Sequence, residues 1–144
     1  MSNPVQLQKA LYTAHASSIG GRNGTVKTDD GSIDLKVAMP AGLGGHGGGT
    51  NPEQLFALGY SACFGSAVQF VAGQKKVQTG PVRIDADVTI GAIASGGFGL
   101  AVVLTAHLPE LPREQAEELV HAAHQVCPYS NATRGNIQVD VKVA

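Results

Sequence analysis

A chain of 144 residues, 43% of them apolar, is long enough to bury one core and too short for two independent ones. Ten lysines and arginines against eleven aspartates and glutamates give a formal net charge of −1, so no strong field of either sign draws the chain to nucleic acid or an anionic membrane. Met1 to Lys9 carry no cationic stretch leading into an apolar run, and no later segment is read as approaching a membrane-spanning length, which makes the cytoplasm the expected location.

In chain order, residues 11–19 alternate loosely, 24–28 are short and β-branched, and 32–38 place Ile33, Leu35 and Val37 on one face at period two. Asp29-Asp30-Gly31 supplies the turn between the last two, so the three segments predict an antiparallel meander. Glycines then crowd residues 42–49, a candidate lid or substrate rim. Thr50-Asn51-Pro52-Glu53-Gln54 opens a helix: Asn51 can cap, Pro52 suits the first turn, and Gln54 stands three residues after the cap. From there to about Gln74 the residues are small or apolar almost all round, which predicts a central helix buried on most sides. Residues 81–94 and 97–108 read as a hairpin turning at Ser95-Gly96-Gly97. Residues 112–127 read as an amphipathic helix with its acids near the start, and Pro128 breaks or redirects it. Residues 136–143 finish as a strand with Ile137, Val139, Val141 and Val143 on one face. This order describes a single α+β domain over residues 1–144.

The two cysteines, 64 positions apart, fit neither a disulfide-stapled scaffold nor a C-x-x-C motif. Cys63, among Ala62, Phe64 and Ala67 in the buried helix, reads either as a small core residue or as a nucleophile. Cys127 ends a helix against Pro128, where the backbone is expected to be exposed and free to move, as a resolving thiol requires. A thiolate that attacks a peroxide becomes a sulfenic acid, and a neighbouring thiol then rescues it from overoxidation as a disulfide. A nearby cation favours the thiolate; Arg22, between glycines, is either a solvated turn residue or a guanidinium presented inward. His121, His124 and Cys127 recur at i, i+3 and i+6, but the first and third are about 240° apart around a helix, so no metal site is expected.

Asn51-Pro52-Glu53-Gln54-Leu55-Phe56, Gly59-Tyr60-Ser61-Ala62-Cys63-Phe64 and the run from Val126 through Cys127-Pro128-Tyr129-Ser130 to Asn136 resemble the organic hydroperoxide resistance branch of the OsmC superfamily. The resemblance extends from Leu11 to the C-terminus. It implies an α+β, intertwined homodimer with antiparallel sheets around a buried central helix and two active sites at the subunit interface. It further implies that Cys63 is peroxidatic, that Cys127 is resolving, that Arg22 stabilises the thiolate and polarises the peroxide, and that Glu53 orients Arg22. Substrates would be alkyl, aryl or fatty-acid hydroperoxides, for which Phe56, Tyr60, Phe64 and Phe70 are candidate binding residues, although the same side chains serve equally well as core. No bound cofactor is implied; an external dithiol, dihydrolipoamide or a lipoylated protein, would be the reductant. Neither nucleic acid nor membrane is an expected partner. Ten residues separate Glu53 from Cys63, about 15 Å of helical rise, so Arg22 and Glu53 are expected to come from the partner subunit. The competing reading is a redox-sensing or ligand-binding module that uses the same cysteines without turnover.

Overall fold

Turn chemistry builds the first part of the chain. In the computed structural model, which describes residues 3–144, strands β1 (Ala16–Ile19), β2 (Gly24–Thr28) and β3 (Asp34–Val37) form an antiparallel sheet in that order. The first connection closes with the Asn23 N–H donating to the Gly20 carbonyl at 3.1 Å, and Gly20 and Gly21 take φ values of +82° and +58° that suit glycine. A Cβ on Gly24 would lie 1.8 Å from the Ile19 carbonyl oxygen, so the hairpin admits no side chain there. β1 is shorter than the alternation of residues 11–19 suggests. Ala16 already pairs with Thr28, where β2 ends, so residues 11–15 find no further ladder partner on β2, and Leu11 is 88% exposed. The glycine-rich stretch is pinned rather than free: it forms a short 3-10 turn (Ala41–Leu43), and the Gly45 and Gly47 N–H groups donate to the Pro40 and Met39 carbonyls at 3.0 Å.

Helix α1 (Pro52–Gln74) starts where its cap places it, with Asn51 Oδ1 accepting the Gln54 N–H at 2.8 Å. Tyr60, Phe64, Ala67, Val68, Val71 and Ala72 form its buried face. Leu58 and Phe70, 64% and 57% exposed, lie off that face, so within one chain the helix is covered on one side and not on most sides. By length and composition α1 could also cross a membrane, which corrects the expectation that no segment approaches that length. In this fold it is a core helix whose buried face packs in a protein core.

Two compact units result, Gln6–Leu55 and Phe56–Ala144, the latter together with residues 3–5. In the second, β4 (Arg83–Ala92) and β5 (Phe98–His107) pair antiparallel as the alternation predicts. α2 (Arg113–Val126) follows, then a short helix α3 (Pro128–Thr133) that the sequence reading left out, then β6 (Val139–Val143). β6 runs parallel to β5, so this sheet is mixed rather than antiparallel throughout. The reason is the connection: a crossover through α2 and α3 returns the chain in the same direction, which a hairpin cannot do. Tyr60, Phe64 and Val68 of α1, Val102 and Leu104 of β5, Leu119 of α2 and Cys127 fill the core of this unit. Each large apolar side chain removed from water there contributes on the order of 1.5–3 kcal/mol before entropy is counted.

The buried Asn51 cap gives a direct test of how α1 is started. Asn51→Ala should lower stability by about 1 kcal/mol in urea denaturation, and Asn51→Asp should retain most of it, because only the side-chain acceptor matters.

Candidate active site

Cys63 sits in the fourth turn of α1, half-buried, and Cys127 sits at the junction of α2 and α3 with none of its surface exposed. Cys127 leaves helical geometry at φ −64° and ψ 124°; its N–H donates to the Ala123 carbonyl, and its own carbonyl accepts the Asn131 N–H, each at 2.9 Å. The exposed backbone expected at Cys127 is not found, and Cys63, expected inside a buried helix, carries the more accessible thiol. α3 folds the chain back at the junction, so both backbone groups of Cys127 are bonded and its thiol faces inward. Both thiols are free, and their sulfurs are 3.6 Å apart. A disulfide bond is about 2.05 Å long, so a displacement of roughly 1.5 Å would close one.

Burial pushes the Cys63 thiol up from its ordinary pKa; the Tyr129 backbone N–H pulls it back, and the neighbouring Cys127 thiol adds to the rise. Within Phe56–Ala144, no lysine or arginine among the described residues contributes to the thiol's ionisation.

Within the unit Gln6–Leu55, one guanidinium is held by a carboxylate. Arg22, on the β1–β2 turn, grips Glu53 in the first turn of α1 with two parallel bonds, Nη1 to Oε2 at 2.8 Å and Nη2 to Oε1 at 2.6 Å. Arg22 is thus a partly exposed turn residue tied to one carboxylate. The side chain of Glu53 is 12% exposed and that of Arg22 31%. The guanidinium's hydrogen bonds hold the Glu53 carboxyl below its ordinary range despite burial. Two of the five guanidinium N–H donors are used, and the planar fork leaves the others directed elsewhere.

The four candidate binding aromatics divide. Tyr60 and Phe64 are fully buried in the core, whereas Phe56 is half-buried and Phe70 is mostly exposed. Cys63 is seven residues from each of Phe56 and Phe70, so these three share one stripe of α1, while Tyr60 and Phe64 point into the core. Tyr129 is not among the residues expected at the site. Its ring joins Phe56 and Tyr60 in an aromatic trio with centroid separations of 5.5–6.1 Å. It can do so because Gly59, one turn before Cys63, has no Cβ, which would otherwise lie 2.5 Å from the Tyr129 hydroxyl. A glycine in an otherwise apolar helix, four residues before a cysteine, was the available signal.

A family model described as OsmC-like protein matches residues 45–142. The organic hydroperoxide resistance protein of Xanthomonas axonopodis pv. citri (strain 306) is 52% identical over 139 residues, 95% of this chain and 97% of that protein. The crystal structure of an organic hydroperoxide resistance protein from Legionella pneumophila superposes with a TM-score of 0.91 at 52% identity, covering 94% of this chain and 99% of that one. The structure of the organic hydroperoxide resistance protein OhrB of Bacillus subtilis has a TM-score of 0.86 at 45% identity, covering 94% and 100%.

Because Glu53 titrates below its ordinary 4.5 when folded, its contribution is fully present above that value and is lost as the pH falls through the folded pKa. Glu53→Gln should therefore cost about 1 kcal/mol at pH 7, the modest sum left to a partly exposed pair, and progressively less as the pH falls below 4.5. Urea midpoints of both proteins across that range provide the check.

Proposed function

The chain belongs to the OsmC-like protein family, and we propose that it is a thiol peroxidase that reduces organic hydroperoxides to alcohols. The observation that carries this reading is the pair of free sulfurs 3.6 Å apart, one half-exposed and one sealed, on a chain whose relatives are named for organic hydroperoxide resistance. The accessible Cys63 thiolate attacks the terminal oxygen of R–O–O–H. The O–O bond breaks, R–O⁻ leaves and takes up a proton to become the alcohol, and Cys63 is left as a sulfenic acid. Cys127 then attacks the Cys63 sulfur; the S–O bond breaks, the hydroxyl departs with the thiol proton as water, and a disulfide remains. An external dithiol, dihydrolipoamide or a protein-borne lipoyl group, returns two electrons and two protons.

The thiolate needs a cation, and Arg22 is the candidate. Glu53 and Cys63 are ten residues apart on one unbroken helix, about 15 Å of rise, so one guanidinium that grips Glu53 is poorly placed for the Cys63 of the same helix. A second copy solves this. If two α1 helices pack antiparallel about a twofold axis, the first turn of one lies beside the middle of the other, and Arg22 with Glu53 serves the partner's thiol. The exposed apolar residues Leu58 and Phe70 on α1 support such a homodimer. There Arg22 favours the thiolate and then the negative charge on the departing oxygen, with Glu53 orienting it. Phe56 and Phe70, on the cysteine's stripe, are the proposed contacts for an alkyl or aryl group; Tyr60 and Phe64 support them from within the core. Regeneration of both thiols suits a reducing cytoplasm.

Steady-state assays with cumene hydroperoxide, hydrogen peroxide and dihydrolipoamide test the reading. Turnover should favour the organic substrate, vanish in Cys63→Ser, and fall by about 10²–10³ in Arg22→Ala. Consumption of a single equivalent with every reductant would leave a redox sensor instead, and activity indifferent to Cys63 would remove the mechanism.

A further inference from the structure

Four polar side chains from three helices meet inside the core around the Cys127 junction. Tyr60 Oη of α1 lies 2.9 Å from Ser130 Oγ and 3.0 Å from Thr133 Oγ1 of α3, and His124 Nδ1 of α2 lies 2.7 Å from Ser130 Oγ. Thr133 Oγ1 in turn donates to the Ser130 carbonyl at 3.3 Å. Tyr60 and Ser130 are fully buried and Thr133 nearly so, and no buried side-chain polar atom among the described residues lacks a partner. Cys127 lies midway between His124 and Ser130 in the sequence, three residues from each.

One arrangement of protons satisfies all four contacts at once. Four hydrogen bonds are made, but the three hydroxyls supply only three protons, so the fourth must come from the imidazole. His124 therefore carries its proton on Nδ1 and donates to Ser130, Ser130 donates to Tyr60, Tyr60 to Thr133, and Thr133 to the Ser130 carbonyl. Every hydroxyl then donates once and accepts once. Burial lowers the His124 pKa, in keeping with a neutral ring whose Nε2 bears the lone pair.

We propose that His124, Ser130, Thr133 and Tyr60 form a positioning clamp for Cys127, tying α2 and α3 to the helix that carries Cys63 and so holding the two sulfurs within reach of disulfide closure. The inference rests on the peroxidase reading and extends it to residues that touch neither sulfur in any hydrogen bond. Arg134 adds to the brace, donating to the His124 carbonyl and to Asn131 Oδ1. A clamp of this kind acts after the peroxide has reacted. The sulfenic acid Cys63–S–OH and the thiol Cys127–SH give the disulfide and water, and a competing hydroperoxide converts the same sulfenic acid to sulfinic acid. Whatever keeps Cys127 in place decides between them.

The test is single-turnover oxidation of the full-length protein by cumene hydroperoxide, with sulfenic, disulfide and sulfinic forms counted by mass spectrometry. Ser130→Ala and His124→Ala should form the sulfenic acid at the wild-type rate, close the disulfide about tenfold more slowly, and accumulate several-fold more sulfinic acid at high peroxide. His124→Asn, whose amide N–H falls where Nδ1–H stood, should restore closure. Long-range nitrogen–proton NMR should find the Nδ1–H tautomer of His124. Closure at the wild-type rate in both alanine variants would overturn the clamp, as would equal failure of His124→Asn and His124→Ala. If Ser130→Ala does not fold, the two substitutions at the half-buried His124 still decide the matter. A wild-type protein that forms no sulfenic acid at all would instead overturn the peroxidase reading.

Discussion

The closeness of two sulfurs, 3.6 Å apart across 64 residues of sequence, is the constraint that the Phe56–Ala144 unit is organised to meet. Keeping two thiols that near without a bond requires their backbones to be fixed independently. α1 fixes Cys63 through its own helical hydrogen bonds and its buried face. Cys127 is fixed by a change of direction: α2 ends on it, α3 begins on it, and its N–H and carbonyl are spoken for by Ala123 and Asn131. Pro128 enforces that change, since it cannot continue α2 but suits the first position of α3.

Much of this was legible in the sequence, because the signals were local. The Asn51-Pro52 start of α1 and the β2 strand over 24–28 follow from capping and branching, and the Ser95-Gly96-Gly97 turn from glycine placement. What was not legible depended on partners distant in the chain. The direction of β6 is set by the length of the connection before it, which alternation along Val139–Val143 cannot report. The burial of Cys127 was not legible because α3 spans only six residues, too few for a periodic pattern, and its hold on Tyr60 depends on hydroxyls 70 and 73 positions away. Arg22 stood between two readings for the same reason: its partner Glu53 is 31 residues on.

The Gln6–Leu55 unit handles its charges differently from the way its neighbour handles its thiols. Arg22 and Glu53 satisfy each other through a planar, two-bond contact, so a guanidinium is held in one orientation while keeping donors in reserve. Glycines make that possible by tightening the hairpin beneath it; at Gly24 the backbones approach too closely for any side chain. Two parallel bonds leave the guanidinium plane little freedom to turn.

The unequal burial of the two cysteines also makes the fold self-reporting. An alkylating reagent has a path to the half-buried Cys63 and none to the sealed Cys127, so the number of labels carried by the reduced chain counts its state: one while the α2–α3 junction is closed, two once it has opened. The second label would appear at the rate of that local opening, which turns an ordinary thiol modification into a clock for the motion that exposes the core.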